Sequence, residues 1–262
     1  MLDDHLISII TVNYNNKLGL ERTLKSVQSQ TYTNFEHIVV DGESTDGSKE
    51  IIESNKQYFT YWVSEPDKGI YNAMNKGIKA AKGDYLFFLN SGDDFLGTDS
   101  LENISTHLKT YDFIYFNINV KDGNNSYVKK CPSTMSFSFL HNDTIPHQSI
   151  FIKKSLFKHV GNYDENLKIV SDWKFLILAL IKHNATYKHI DAVFTNFYRG
   201  GISSLEANKV LVNKEREQVL KQEFSVILND LNENLKLQRT LRTLRKSRKI
   251  KLLIRLGLIN KF

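Results

Sequence analysis

The chain has 262 residues, of which 41% are hydrophobic, 11% aromatic and 24% charged. Those proportions exclude a disordered, collagen-like or low-complexity protein, and the length suits a single α/β-sized domain with an appendage. The net charge of +6 is lopsided: ten Lys or Arg and no acid lie from Lys236 onward, so residues 1–235 carry −4 and no nucleic-acid-binding body is expected.

Residues 6–12, Leu6-Ile7-Ser8-Ile9-Ile10-Thr11-Val12, form a β-branched run with no basic leader and no small-residue cleavage site. The run reads as a strand, neither signal peptide nor membrane span, and no other stretch is apolar for 18 residues. With one cysteine, Cys131, there is no disulfide framework or cysteine zinc cage to build, which fits a reducing compartment. A cytoplasmic protein that touches membrane only from the surface is expected.

Leu20, Leu24 and Val27 then recur at helical spacing. Residues 35–40 read as a strand, 48–56 as a helix capped by Thr45 or Asp46, 58–63 as a strand, 69–82 as a helix and 85–89 as a strand buried on both faces. This β-α-β-α-β-α-β order predicts a mainly parallel sheet covered by helices, with a ligand crevice at the carboxyl ends of the strands. Further on, 111–120 and 127–131 read as a hairpin around Asp122-Gly123-Asn124-Asn125 and 148–152 as a strand. Helix is expected over 167–181, strand over 192–198, and helix over 207–231 before the basic tail.

Three polar turns follow predicted strands: Asn13-Tyr14-Asn15, Asp41-Gly42-Glu43-Ser44-Thr45-Asp46 and Asn90-Ser91-Gly92-Asp93-Asp94. Each alone is ordinary turn and cap chemistry. Three on one edge of one sheet make a site.

These turns, with 69–83 between them, resemble the nucleotide-binding half of family 2 glycosyltransferases, which are inverting enzymes of GT-A fold. The stretch Ser64-Glu65-Pro66-Asp67-Lys68-Gly69-Ile70-Tyr71-Asn72-Ala73-Met74-Asn75-Lys76-Gly77 is similar to the branch serving bacterial exopolysaccharide and O-antigen synthesis. The resemblance is strong over residues 5–97 and weaker over 144–204. It implies a nucleotide-sugar-binding half at 1–97, an acceptor-binding half of the same GT-A domain at 98–204, and a helical extension at 205–262. It also implies transfer of a hexose or N-acetylhexosamine from a UDP-sugar to a saccharide carried on a polyprenyl diphosphate.

A base needs a stacking face and a directional hydrogen-bond partner, which Tyr14 and Asp41 would supply, Asp41 accepting the uracil imide hydrogen. By the same resemblance Thr11, Asn13, Ser44, Asp67 and Asn90 line the donor site. Asp93 is expected to hold Mn²⁺ or Mg²⁺, with Asp94 either assisting or capping the next helix. Two departures stand out. Asn90 and Gly92 replace acids of the family signature, and Met74 replaces an arginine that faces the phosphates, so Lys68, Lys76 or Arg199 should supply that cation.

Inverting transfer needs a base for the acceptor hydroxyl. Ile169-Val170-Ser171-Asp172-Trp173 resembles the acceptor-side segment that carries it, which makes Asp172 the candidate, with Asp164 and Glu165 behind it. His147, Gln148 and Trp173 are expected at the acceptor, and Arg199-Gly200-Gly201-Ile202-Ser203-Ser204 resembles a segment closing over the diphosphate. In the tail, Leu237, Leu241, Leu244, Leu252, Leu256 and Ile259 alternate with basic clusters. An amphipathic helix on the anionic inner face of the cell membrane is expected, the rival being packing on its own domain or on a second subunit as a homodimer. The rival to enzymatic function is a non-catalytic sugar-nucleotide-binding or scaffolding protein.

Overall fold

A computed structural model of the chain describes residues 5–108, 110–201 and 204–260. Strands β1 (Ile7–Asn13), β2 (Phe35–Asp41), β3 (Tyr61–Ser64) and β4 (Tyr85–Phe88) pair in parallel in the order β3-β2-β1-β4. Helices α1 (Lys17–Gln28), α2 (Ser48–Ser54) and α3 (Ile70–Ala80) connect them. Every residue of β1 and β4 is buried, as central strands covered on both faces require. The third strand starts later than residue 58 because Lys56–Tyr58 forms a 3-10 turn. The residue that caps α2 is Gly47, with φ of 93° and no side chain to offer, in place of the expected Thr45 or Asp46. Asp46, one residue earlier, instead accepts from Lys17 N at 2.7 Å and Ser48 N at 3.1 Å and so bridges the first residues of α1 and α2.

The sheet continues through β8 (Ile150–Lys153), antiparallel to β4, then β6 (Phe113–Asp122), β9 (Tyr187–Tyr198) and the two-residue β5 (Asp94–Phe95). The expected hairpin is present, β7 (Asn125–Lys129) folding back on β6 through Gly123, whose φ of 58° lies in the left-handed region that glycine tolerates. β9 begins five residues earlier than expected, at Tyr187. Short helices α4 (Ser100–Ser105), α5 (Phe137–Asn142) and α6 (Leu156–Val160) were not anticipated, and α7 (Ser171–Lys182) starts at Ser171 instead of 167.

An aromatic core ties the two parts of the sheet. Phe87 stacks on Phe151 at 4.4 Å and Phe116 on Phe194 at 4.6 Å, with Phe95 stacked on Phe87 at 5.6 Å. Such pairs contribute about 0.5–1.5 kcal/mol each beyond the area they bury. Because Phe95 directly follows Asp93-Asp94, this core fixes that turn.

The chain divides into two compact units at residue 212. In place of one helix over 207–231 there are α8 (Lys209–Glu223) and α9 (Ser225–Lys246), separated at Phe224, and α10 (Arg248–Arg255) follows a break at Ser247, whose backbone is extended. Among the described residues, no helix is long and apolar enough to cross a membrane.

Candidate active site

Parallel register brings Asn13, Asp41 and Ser64 into one row at the carboxyl ends of β1, β2 and β3. Asp41 is the hub of that row. Its Oδ1 accepts from Asn13 Nδ2 at 2.8 Å and Ser44 Oγ at 2.6 Å, and its Oδ2 from Ser44 N at 2.9 Å and Ser64 Oγ at 2.7 Å. Burial pushes the Asp41 carboxyl up, but the bonds from Ser44, Asn13 and Ser64 outweigh it and hold the group below the usual carboxylate range. The side chain has no exposed surface. Asp41 therefore sits one layer beneath the crevice, with Asn13 and Ser44 bound to it.

Above this floor, Tyr14 is 67% exposed. Gly42 lies between Tyr14 and Asp67: a Cβ at 42 would come within 2.5 Å of Asp67 Oδ2 and 3.1 Å of the Tyr14 ring. Only glycine lets the ring and the carboxylate approach together. Asp67 Oδ1 is fixed by Gly69 N at 2.8 Å. Thr11 is displaced from its expected role, since it is fully buried and its hydroxyl lies 3.0 Å from Nε2 of His37. Burial pushes His37 down to about 3, so the pair is neutral.

The Asn90–Asp94 turn is held from α1. Thr23 Oγ1 donates to the Asp93 carbonyl at 2.7 Å and accepts from Gly92 N at 3.0 Å. The Asp93 side chain is buried, its Oδ1 accepting from Tyr198 N at 3.1 Å, and burial pushes its carboxyl up to about 7. Asp94 is committed elsewhere: Asn196 Nδ2 donates to it at 2.6 Å and the Tyr198 hydroxyl at 3.2 Å, so it ties β5 to β9. It does not cap α4, which begins after Asp99; among the described residues no three His, Cys, Asp or Glu gather at one point.

Two of the three cations expected at the phosphates are ion-paired. Lys76 binds Glu65 at 2.7 Å and the Pro66 carbonyl at 3.0 Å, and Arg199 binds Asp122 at 2.7 Å on the β6–β7 hairpin. Lys68 is exposed, and Met74 is core. The sequence reading missed Arg22. From α1 its guanidinium lies 3.9 Å over the Tyr198 ring and donates to the Gly92 carbonyl at 2.9 Å, beside Asp93. No local pattern marks it, because the turn it reaches is 70 residues away. Of the expected closing segment, Ile202 and Ser203 lie outside the described residues.

Asp172 stands in the first turn of α7. Its Oδ1 accepts from the Tyr71 hydroxyl at 2.8 Å, and its Oδ2 lies 3.5 Å from His147 Nδ1. The other ring nitrogen of His147, Nε2, accepts from Asn90 Nδ2 at 3.0 Å, which leaves Nδ1–H to donate to Asp172. Asn90, His147 and Asp172 thus form one chain from the Asp93 turn to the start of α7. Burial pushes Asp172 up, yet the bonds from His147 and Tyr71 hold it below the usual carboxylate range. Its side chain keeps 20% of its surface exposed and that of His147 21%, so solvent and ligands reach both.

The neighbours expected at the acceptor are core. Trp173 is 1% exposed with its indole N–H donating to the Leu140 carbonyl at 2.7 Å, and Gln148 is 2% exposed. An indole in the first turn of α7 reads as a pocket wall in sequence; the unanticipated α5 covers it. Asp164 is paired to Lys174 at 2.7 Å, and Glu165 accepts from Asn72 and Asn75 at 2.8 Å each.

The family description "Glycosyl transferase family 2" matches residues 8–160. An uncharacterised glycosyltransferase of Mycobacterium tuberculosis is 36% identical over 180 residues, 67% of this chain and 69% of that protein. The Escherichia coli UDP-Glc:α-D-GlcNAc-diphosphoundecaprenol β-1,3-glucosyltransferase WfgD is 29% identical over 235 residues, 84% and 87% of the two chains. In fold, the chain is similar to S. aureus TarS 1–349 in complex with UDP-GlcNAc, with a TM-score of 0.60 at 20% identity over 82% of this chain and 70% of that one. Sequence and architecture agree: this chain belongs to glycosyltransferase family 2 and carries the GT-A fold.

Proposed function

We propose that this glycosyltransferase moves a hexose or N-acetylhexosamine, with inversion, from a UDP-sugar to a saccharide on a polyprenyl diphosphate during bacterial surface polysaccharide assembly. The observation that carries the reading is Asp172, kept ionised by His147 and Tyr71 and joined through Asn90 to the Asp93 turn. The similarity to WfgD, whose name states a UDP-glucose donor and a diphosphoundecaprenol-linked acceptor, supports the substrate classes.

In this reading the uracil stacks on the exposed Tyr14 ring, with Asp67, beside Gly42, lining the same donor site. Asp41 fixes Asn13 and Ser44 beneath the base and ribose. Asp93 would hold Mn²⁺ or Mg²⁺ through a carboxylate oxygen, with the diphosphate and water completing the ligands. Its chemistry fits: it is a hard oxygen donor, and a cation would offset the burial that pushes it up to about 7. When bound, the ion absorbs charge on the departing UDP. Arg22 supplies the fixed positive charge that Met74 does not. Asp172 takes the acceptor's proton as its oxygen attacks the anomeric carbon from the face opposite the diphosphate, and His147 keeps that carboxylate aimed.

The deciding experiment measures UDP release across a panel of UDP-sugars with Mn²⁺ or Mg²⁺ and then with EDTA. One donor should be turned over in a metal-dependent way, and Asp172→Asn should retain UDP binding while losing about a hundredfold or more in rate. Near-wild-type turnover by Asp172→Asn would remove the base assignment. UDP binding without turnover of any donor would favour a non-catalytic sugar-nucleotide-binding protein. The same reading sets the basic helical tail on the anionic inner face of the cell membrane, where a polyprenyl-linked acceptor resides.

A further inference from the structure

Tyr71 lies on α3, 5% exposed, its ring against Tyr163 at 5.7 Å between centroids. Its hydroxyl reaches the start of α7, where two acceptors await one proton: the Ile169 carbonyl at 2.5 Å and Asp172 Oδ1 at 2.8 Å. A phenol oxygen donates once and also accepts. While Asp172 is ionised, its charge draws the Tyr71 proton toward Oδ1. Once Asp172 is protonated, its own O–H needs an acceptor. Rotation of the Tyr71 O–H toward the Ile169 carbonyl turns a lone pair to Asp172, beside the Ser171 and Asp172 backbone N–H groups that also face the phenol oxygen, and so keeps the Tyr71 hydroxyl and the Asp172 carboxyl partnered. His147 Nδ1–H faces Oδ2 and serves both states.

We infer that Tyr71 is a positioning residue that carries Asp172 through its change of protonation by switching one hydrogen bond between the Asp172 carboxyl and the Ile169 carbonyl. The inference rests on Asp172 being the base. In the transfer step the acceptor oxygen bonds to the anomeric carbon while the bond from that carbon to the UDP oxygen breaks. UDP leaves with the bonding pair, and the acceptor's proton ends on Asp172. The side chains that face this carboxyl are His147 from the turn before β8, Tyr71 from α3 and Tyr163 from the loop before α7, with the Trp173 backbone N–H from α7 itself. Among the three side chains, Tyr71 is the one that offers both a proton and a lone pair at Oδ1.

The test is Tyr71→Phe, which keeps the ring against Tyr163 and removes only the hydroxyl. In full-length chain carrying ¹³C-labelled aspartate, the Asp172 carboxyl resonance is assigned by its loss in Asp172→Asn and titrated in wild type and Tyr71→Phe. Loss of the donor to the ionised form should move its midpoint upward by about half a pH unit or more. UDP release from UDP-glucose and UDP-N-acetylglucosamine, measured alongside, should fall about tenfold in kcat with the donor KM unchanged. An unmoved titration overturns the role of Tyr71, including where a lower rate simply tracks a lower melting temperature. If Asp172→Asn then remains inactive, the base assignment survives that failure. Wild-type UDP release by Asp172→Asn overturns both. The titration decides the role of Tyr71 whichever donor is the natural one.

Discussion

Asp41 is a charge without exposed surface, and such a group is tolerated only where its hydrogen bonds are complete. Here Asn13, Ser44 and Ser64 supply them. Asp41→Asn would turn an NH₂ toward one or two of these donors and should cost about 2–4 kcal/mol of stability at pH 7. The folded value of Asp41 lies below its unfolded value, so its contribution is fully present above about pH 3.9 and is lost as pH falls through the folded value. Urea melts should therefore show a gap between wild type and Asp41→Asn at pH 7 that narrows below pH 4. A gap unchanged at low pH would mean that the loss comes from packing, not from charge. The polar turn after β2 was legible in Asp41-Gly42-Glu43-Ser44, but its layering was not. Composition marks such residues as turn formers; only strand register shows that Ser64 closes over Asp41 from the next strand.

At the scale of elements, α3 does more than cover the sheet. Asn75 Nδ2 donates to the Tyr163 carbonyl at 2.9 Å and to Glu165 at 2.8 Å, its Oδ1 accepts from Tyr163 N at 3.1 Å, and Asn72 also donates to Glu165. With Tyr71, one face of the helix pins the loop that leads into α7 and so sets where Asp172 stands. Asn75→Ala removes two part-buried bonds to Tyr163 and an exposed one to Glu165, which should destabilise the chain by about 2 kcal/mol. UDP release should fall while donor KM holds, because the loop and not the donor floor is released; a thermal melt and initial rates check both, and an unaffected kcat would separate the loop from the chemistry. The helix itself was readable from local periodicity, as were β1, β2, β4 and α1. Its clamp was not, since Asn75 and Tyr163 are 88 residues apart. The misses among elements have a common cause: β5, α4, α5 and α6 span two to six residues, less than two helical turns, and show no period of their own. The expected start of α7 at 167 failed because Leu167, Ile169 and Val170 are buried as loop residues, mimicking a helical stripe.

At the scale of the whole chain, charge is segregated along the sequence: residues 1–235 carry −4 and the last ten basic residues follow them. Within the C-terminal unit, Ile250, Leu253 and Ile254 of α10 are partly buried, whereas Leu252 and Leu256 are 56% and 61% exposed beside the exposed Arg248, Lys251 and Arg255. A solvated helix gains nothing from two exposed leucines, but a helix at an anionic bilayer gains from both residue types, with each basic residue near the surface contributing about 1 kcal/mol. Replacing Lys249 and Lys251 by Gln in the full chain should therefore weaken binding to phosphatidylglycerol vesicles about thirtyfold, since about 1.4 kcal/mol is a factor of ten. Added salt should weaken the wild type in the same direction, the charged part being screened within about 10 Å at 0.1 M. Leu252→Asp with Leu256→Asp should weaken binding as well, by removing apolar contact and adding repulsion. UDP release from free donor should stay unchanged in both variants, because no residue of the donor crevice is altered. Equal sedimentation of wild type and variants with phosphatidylglycerol and phosphatidylcholine vesicles, together with a concentration-dependent rise in mass that the leucine changes abolish, would assign this face to a second copy of the chain instead.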